Sequence, residues 1–587
     1  MTHVFRIGRL GGSTRTGGLG TASGAAGAPG KTGRRLRRRV LAATAALALL
    51  SGAAACSDKS GGGGAGGKVI LRATGAPTGP MVKNFNPYAI TGPMNLMGGV
   101  GMINEPLFIP NVLKVGDFKP WLAKSWQFSP DGKQLTLDLQ TGVKWTDGQA
   151  FTADDVAFSI NLLLKNPALN QYGLLASSAR AEGPAKAVID FPAPAFTQLP
   201  FVGLTAIVPK HIWELVQDPN TYTFENPVGT GPFKLESWTP QGYLLAKNPG
   251  YWQAGKPKID GIRYVAYTSN VSANLALAQG ELDWAGNFVN NIDKEYVAKD
   301  PANNHYWFPP MAPMSLGFNL TKPQWQNADV RKAVSFALDR KALAQLAFQG
   351  EEQPNMTPTG LLPQHAEFIA DKYKSIQLTQ DIPQAKALLA KAGYKPGGDG
   401  IMVGPDGKRL TMTLLTSSSF TDVLTLYQVM TDQLKQVGIE VKIDSKSTTE
   451  SITDTYMGNF DVGITGPAYA AYSPFNVYER TLAGYLTAPV GQPAFNNTER
   501  WQDPETDKLL QQYASTQDPA VQKQALEGLQ DIMVEKMPII PLYNFAAWSE
   551  YSTKSVVGWP DKDNPYIVGI SVGAASVYVA TMLEPKK

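Results

Sequence analysis

A mixed α/β fold spread over two or three domains is what this chain of 587 residues predicts, and three observations carry the prediction. Residues 410–443 read as strand, helix, strand: an apolar run from Leu410 to Leu415, a helical stripe of Val423, Leu424, Tyr427, Met430 and Leu434, then Ile439, Val441 and Ile443 in alternation. Residues 127–164 read as a hairpin leading into an amphipathic helix. Beyond a Gly-rich stretch, roughly 520 residues of ordinary globular composition remain, more than a single core accommodates.

At the N-terminus, Arg34, Arg35, Arg37, Arg38 and Arg39 precede an apolar stretch over residues 40–50, which ends in Ser51-Gly52-Ala53-Ala54-Ala55-Cys56. Charged, apolar and small-residue regions stand in secretory order, and the apolar part falls short of the ~20 residues that cross a bilayer. Cys56 is the one cysteine, placed where a bacterial lipoprotein signal lipidates its cysteine, although Ala53 stands where that pattern usually has Leu. Residues 1–56 therefore read as an N-terminal extension and lipoprotein signal peptide, and Cys56 as the lipidation site. Arg37-Arg38-Arg39 also matches the core of a twin-arginine signal, so the export route stays open. Residues 57–67, Gly-rich, form a tether with a mean span of ~20 Å.

The formal charge of +4 originates in the leader, whose first 56 residues hold nine Lys or Arg and no acid. The remainder carries 44 basic against 49 acidic residues, which is no nucleic-acid footprint. With no cysteine left for disulfides, burial must stabilise the body.

From residue 68 onward the first element is a short strand, Val69-Ile70-Leu71. Leu135, Leu137 and Leu139 alternate with polar residues after an Asp131-Gly132 turn, which predicts a β-hairpin. Thr152 and Asp155 have capping-box spacing ahead of Val156, Ile160, Leu163 and Leu164 at helical period. Ser315 to Asn319 reads as a strand before a helical stripe of Val330, Val334, Ala337 and Leu338.

Several blocks carry a resemblance. Leu122-Ala123-Lys124-Ser125-Trp126, Gly142-Val143-Lys144-Trp145-Thr146-Asp147-Gly148, Pro227-Val228-Gly229-Thr230-Gly231-Pro232-Phe233, Asn248-Pro249-Gly250-Tyr251-Trp252, Gly280-Glu281-Leu282-Asp283 and Asp329-Val330-Arg331-Lys332-Ala333 occur in order. Together they resemble the substrate-binding lipoproteins of ABC importers, specifically bacterial extracellular solute-binding protein family 5, the dipeptide, oligopeptide and oligosaccharide binders. The resemblance implies a two-lobed type II periplasmic-binding-protein (Venus flytrap) fold with an extra domain inserted in the first lobe. Mapped here, the first lobe is 68–318 with the insertion at about 105–225, the second is 319–549, and 550–587 return to the first. It also implies a monomer without enzymatic activity or cofactor, lipid-anchored on the extracellular face of the cell membrane. Its partners would be a permease with its ATPase subunits and a small-molecule solute. A sensor reading the closed form is the other possible recipient. The glycines of these motifs, Gly142, Gly148, Gly229 and Gly231, are expected to serve turns, since no Lys-Ser or Lys-Thr follows as a phosphate cradle needs.

For the solute, peptide-binding members present an aspartate to the peptide α-ammonium, and in this chain Ala470 aligns with it, which counts against peptides because an unpaired buried ammonium is costly. Aromatic residues are abundant, and flat rings beside Asn and Gln suit a sugar. The block Asp283-Trp284-Ala285-Gly286-Asn287-Phe288 resembles the cellobiose-binding branch. The expected ligand is a cello-oligosaccharide-like solute, with a di- or oligopeptide as the alternative. The candidate ligand-binding residues are Asn86, Trp284, Asn287 and Phe288 from the first lobe and Tyr469, Tyr472 and Trp548 from the second. Trp284→Ala is expected to weaken binding and leave the melting temperature nearly unchanged. A secreted hydrolase is the rival class, but after export only His211, His305 and His365 remain, none in a His-Glu-x-x-His motif, and no Gly-x-Ser-x-Gly elbow occurs. No metal site is expected.

Overall fold

The computed structural model describes residues 67–75, 79–89, 92–466 and 471–587. The leader and Cys56 lie outside them.

The predicted hairpin forms by pairing Ala123–Phe128 antiparallel with Gln134–Leu139, Trp126 opposite Leu137 and Phe128 opposite Leu135. Leu135, Leu137 and Leu139 all point into the core. Lys186–Asp190 and Ser178–Ala181 extend this hairpin to a four-stranded antiparallel sheet. Helix Ala153–Lys165 starts at the Thr152–Asp155 capping box and buries Val156, Ile160 and Leu163.

This small sheet falls in sequence between two strands of a larger one, which is what a domain insertion requires. The larger sheet has seven strands, ordered Asn304–Tyr306, Glu550–Ser552, Trp284–Ala285, Ile70–Ala73, Gly261–Val265, Gly242–Lys247 and Phe233–Thr239. Ile70–Ala73 is parallel to both of its neighbours.

A second sheet has six strands, ordered Gln353–Pro354, Ile539–Ala546, Pro310–Phe318, Val462–Thr465, Thr411–Ser417 and Glu440–Lys446. Its β-α-β unit matches the expectation. Thr411–Ser417 and Glu440–Lys446 are parallel, and helix Thr421–Lys435 between them buries Leu426, Tyr427, Met430 and Leu434. The two sheets with the inserted one make the two-lobed type II architecture.

The chain crosses between lobes at two places, and one corrects the expected boundary. Strand Pro310–Phe318, assigned to the end of the first lobe, pairs instead with Ile539–Ala546 and Val462–Thr465 of the second sheet. The crossing therefore lies between Tyr306 and Pro310, because Leu316 and Phe318 belong to the second core, packed with Val330 and Val334. The chain returns to the seven-stranded sheet between Ala546 and Glu550.

Gly229 and Gly231 also differ from expectation. Neither sits at positive φ. A Cβ on Gly229 would lie 1.9 Å from the Ile103 carbonyl oxygen, and one on Gly231 2.1 Å from that of Met102, so close backbone approach selects glycine there. Among the described residues no helix is long and apolar enough to cross a membrane.

Candidate functional site

In open sheets, ligands collect at the carboxyl ends of parallel strands, where loops diverge. Four such ends meet here around a cavity of about 510 Å³. Gly75 follows strand Ile70–Ala73, Gly286 to Phe288 follow Trp284–Ala285, Thr416 and Ser417 end Thr411–Ser417, and Thr465 and Gly466 end Val462–Thr465. Both lobes thus contribute walls, and the volume is that of a small-molecule site.

Three of the seven candidate ligand residues line this cavity: Asn287, Phe288 and Trp548. The Phe288 and Trp548 rings meet edge to face at 5.8 Å, and Phe308 braces Trp548 from 4.5 Å. Asn287 is 3% exposed. Its Nδ2 donates to Asn274 Oδ1 at 2.7 Å, and Asn274 Nδ2 donates to the Phe288 carbonyl at 2.8 Å. Because that second bond makes Asn274 Oδ1 the acceptor, the Asn287 amide is oriented, and its Oδ1 is left without a donor among the described residues.

Asn86, Trp284 and Tyr472 do not line the cavity. Asn86 is a structural clamp: Nδ2 donates to the carbonyls of Pro219 and Tyr222, and Oδ1 accepts from the Tyr88 amide. Trp284 sits in the middle of the seven-stranded sheet, opposite Ala73 and Tyr551, where its side chain belongs to the core. Its indole donates to the Gly569 carbonyl at 2.7 Å and packs on Trp559. Tyr472 packs against Phe201, away from the cavity lining. Tyr469, and Ala470 at the aligned ammonium position, fall outside the described residues.

Sequence reasoning missed two carboxylates in the lining, Glu352 and Asp422. Asp422 stands in the first turn of helix Thr421–Lys435, where an acid reads as a response to the helix dipole. Glu352 stands in Gly350-Glu351-Glu352-Gln353, which reads as a polar loop. Glu352 is nonetheless 1% exposed, with Oε1 accepting from the Ala546 amide at 3.2 Å and Oε2 from nothing described. Burial, reinforced by Asp422, holds its carboxyl well above the usual range, opposed by the Ala546 amide and the Trp548 indole. Burial pushes Asp422 up to about 6 despite the amides of the helix start, and its Oδ1 also lacks a described donor.

The chain matches, over residues 117–486, the family described as bacterial extracellular solute-binding proteins, family 5 middle region. It is similar to the oligopeptide-binding protein OppA of Bacillus subtilis strain 168, 24% identical over 458 residues covering 73% of this chain and 80% of the relative. It is also 27% identical to the glutathione-binding protein GsiB of Escherichia coli K12, with 72% and 79% covered. Among solved structures it is similar to a mannohexaose-bound periplasmic oligopeptide-binding protein of Thermotoga maritima, with a TM-score of 0.80, 24% identity, and 88% and 99% covered. A second is AppA of Bacillus subtilis with a nonapeptide, TM-score 0.73, 21% identity, and 89% and 99% covered. Because the family model spans more than half of the chain, this protein belongs to the extracellular solute-binding proteins of family 5, which bind solutes and are not enzymes.

Proposed function

We propose that the protein is the substrate-binding subunit of an ABC importer. It captures a small solute between its two lobes and delivers it to a membrane permease driven by ATPase subunits. The observation that carries this reading is the cavity at four strand ends, walled by both lobes. A solute that touches both walls binds the closed form better than the open one, the condition for ligand-driven closure. Anchoring by a lipid on Cys56 and a monomeric state complete the reading.

For the solute class we favour a peptide-like, amine-bearing compound over a sugar. The names of the curated relatives, oligopeptide- and glutathione-binding proteins, support this, as do acceptor groups in the lining that lack donors among the described residues. Phe288, Trp548 and Asn287 support the cello-oligosaccharide reading, since aromatic faces and an amide suit a sugar ring. A thermal-shift series with di- to tetrapeptides and cello-oligosaccharides tests both. At a hundredfold excess over Kd, linkage gives ~2.7 kcal/mol of stabilisation. A shift with saccharides alone would reverse the preference, and no shift with either series would sink the capture role.

A further inference from the structure

The importer reading leaves open which chemical group of the solute is recognised. Building on that reading, we propose that Glu352, Asp422 and Asn287 form a subsite for a protonated amine, so that the protein selects solutes carrying an ammonium group and no free carboxylate inside the cavity.

The charge of the wall favours a cation. Two carboxylates line the cavity, and no Lys, Arg or His does among the described residues. A carboxylate withdrawn from water is costly unless a cation pairs it. Around Glu352, buried, and Asp422, half-buried, the described neighbours are backbone amides and the Trp548 indole, and one oxygen of each has no described donor. The sense of the hydrogen bonds on offer favours a donor. Glu352 Oε2, Asp422 Oδ1 and Asn287 Oδ1 are all acceptors without a described donor. An ammonium presents three donors, no acceptor and a positive charge. A sugar hydroxyl supplies a donor but no charge, and a peptide carboxylate adds a third negative group where no base meets it.

Asn287 is the independent part of the site. It comes from the lobe opposite to Glu352 and Asp422, it is not an acid, and the Asn274 relay engages its NH2 and leaves its oxygen as an acceptor without a described donor. An amine reaching from Asn287 to the two carboxylates would join the lobes, which couples recognition to closure. A metal ion fits less well, because no group of three His, Cys, Asp or Glu able to hold one occurs among the described residues.

The raised carboxyl of Asp422, near 6, and that of Glu352, well above the usual range, add a consequence. An ammonium pairs with the ionised forms, so its binding displaces protons from the pair and tightens as the pH rises through the region near 6 where Asp422 ionises. Tyr543, packed on both, stays neutral throughout because burial raises it, and Glu550, whose Oε2 accepts from the Asn287 backbone amide, is lifted by burial to about 8.

Calorimetric titration of the purified protein at pH 7 with five probes tests the subsite: trialanine amide, trialanine, N-acetyl-trialanine amide, spermidine and cellotriose. We expect trialanine amide or spermidine to bind, the first result assigning a peptide α-ammonium and the second an alkyl ammonium. Acetylation of the amine should weaken binding by at least about thirtyfold, the scale for removing one partner of a buried charge pair. The free acid should bind more weakly than the amide. Asp422→Asn and Glu352→Gln should each cost a similar factor for the amine probe without lowering the melting temperature of the unliganded protein. Equal binding of the acetylated peptide, or amine affinity unchanged in both variants, overturns the proposal. Binding of cellotriose alone overturns it and leaves the importer reading intact, whereas no binding by any probe removes both.

Discussion

Glu105 and Glu352 are both buried carboxylates, one inside the first lobe and one at the cavity, and the protein treats them in opposite ways. Glu105 is saturated. It accepts from Trp121 Nε1 at 2.7 Å, Tyr251 Oη at 2.7 Å and Trp252 Nε1 at 3.0 Å. Burial lifts it to about 7, with those donors pulling the other way. Glu352 has the Ala546 amide and the Trp548 indole beside it and an oxygen with no donor described. A fold that surrounds one carboxylate with three aromatic donors has the means to satisfy the other. The difference teaches that this fold can satisfy a buried carboxylate fully, as at Glu105, or leave one oxygen unmet beside a cavity, as at Glu352.

The largest effect belongs to the saturated site. Glu105→Ala would orphan two indole N–H groups and a phenol, each costing roughly 1–3 kcal/mol. A loss of about 4 kcal/mol in urea unfolding is expected, with solute affinity of the folded protein retained. If affinity collapsed while stability held, the division between the two carboxylates would be broken. Two tryptophans extend the comparison to apolar groups. Trp284→Ala should cost about 3–5 kcal/mol, the core value, and change binding little. Trp548→Ala, at the cavity wall, should do more damage to affinity than to stability. Measuring the melting temperature and Kd of both variants distinguishes wall from core.

The unmet carboxylates give a smaller effect of opposite sign. A carboxyl whose pKa is higher in the folded than in the unfolded protein binds its proton more tightly when folded, so stability declines as pH rises through that interval. For Asp422 the interval runs from 3.8 to about 6. Above it the unliganded protein carries the full penalty, and Asp422→Asn should raise its stability at pH 8 by on the order of 1–3 kcal/mol. Glu352→Gln should act in the same direction. Glu105 and Glu550, also raised, impose their own decline toward about 7 and 8, so the difference between variant and parent, not the parent curve, is the measurement. Destabilisation of the Asn variant at pH 8 would show that Asp422 has a structural partner.

What was legible in the sequence was local. The hairpin at 123–139, the capped helix from Ala153 and the β-α-β unit at 411–446 are each made by residues near one another in the chain, so periodicity reports them. Trp284 misled because its strand, Trp284–Ala285, has two residues and shows no alternation, and the groups its side chain meets, Trp559 and the Gly569 carbonyl, lie far away in sequence. The lobe boundary slipped for a related reason: an apolar strand announces burial but not which of two cores receives it. Glu352 was invisible, since its seclusion depends on the Ala546 amide 194 residues on, and nothing in a Gly-Glu-Glu-Gln stretch encodes that contact. Asn287, Phe288 and Trp548, named through a resemblance and residue type, fall in the cavity lining, but neither signal carried the charge of that lining.

The smallest predicted effect is also the most specific, because it concerns a residue outside the cavity lining. Asn274 accepts from Asn287 Nδ2 and donates to the Phe288 carbonyl, and this relay decides which face of the Asn287 amide is available. Asn274→Ala removes both bonds and frees the amide to turn. An amide free to present NH2 would oppose an ammonium and welcome a hydroxyl or a carbonyl. The expected loss is about 1 kcal/mol, roughly fivefold in affinity for spermidine or trialanine amide, with cellotriose affinity unchanged or higher. Asn274→Asp preserves the acceptor for Asn287 Nδ2, so it should keep most of the amine affinity even though it loses the bond to Phe288. An equal loss for charged and neutral probes in Asn274→Ala would mean that the relay merely braces the loop, and that the orientation of Asn287 contributes nothing to selecting the charge of the solute.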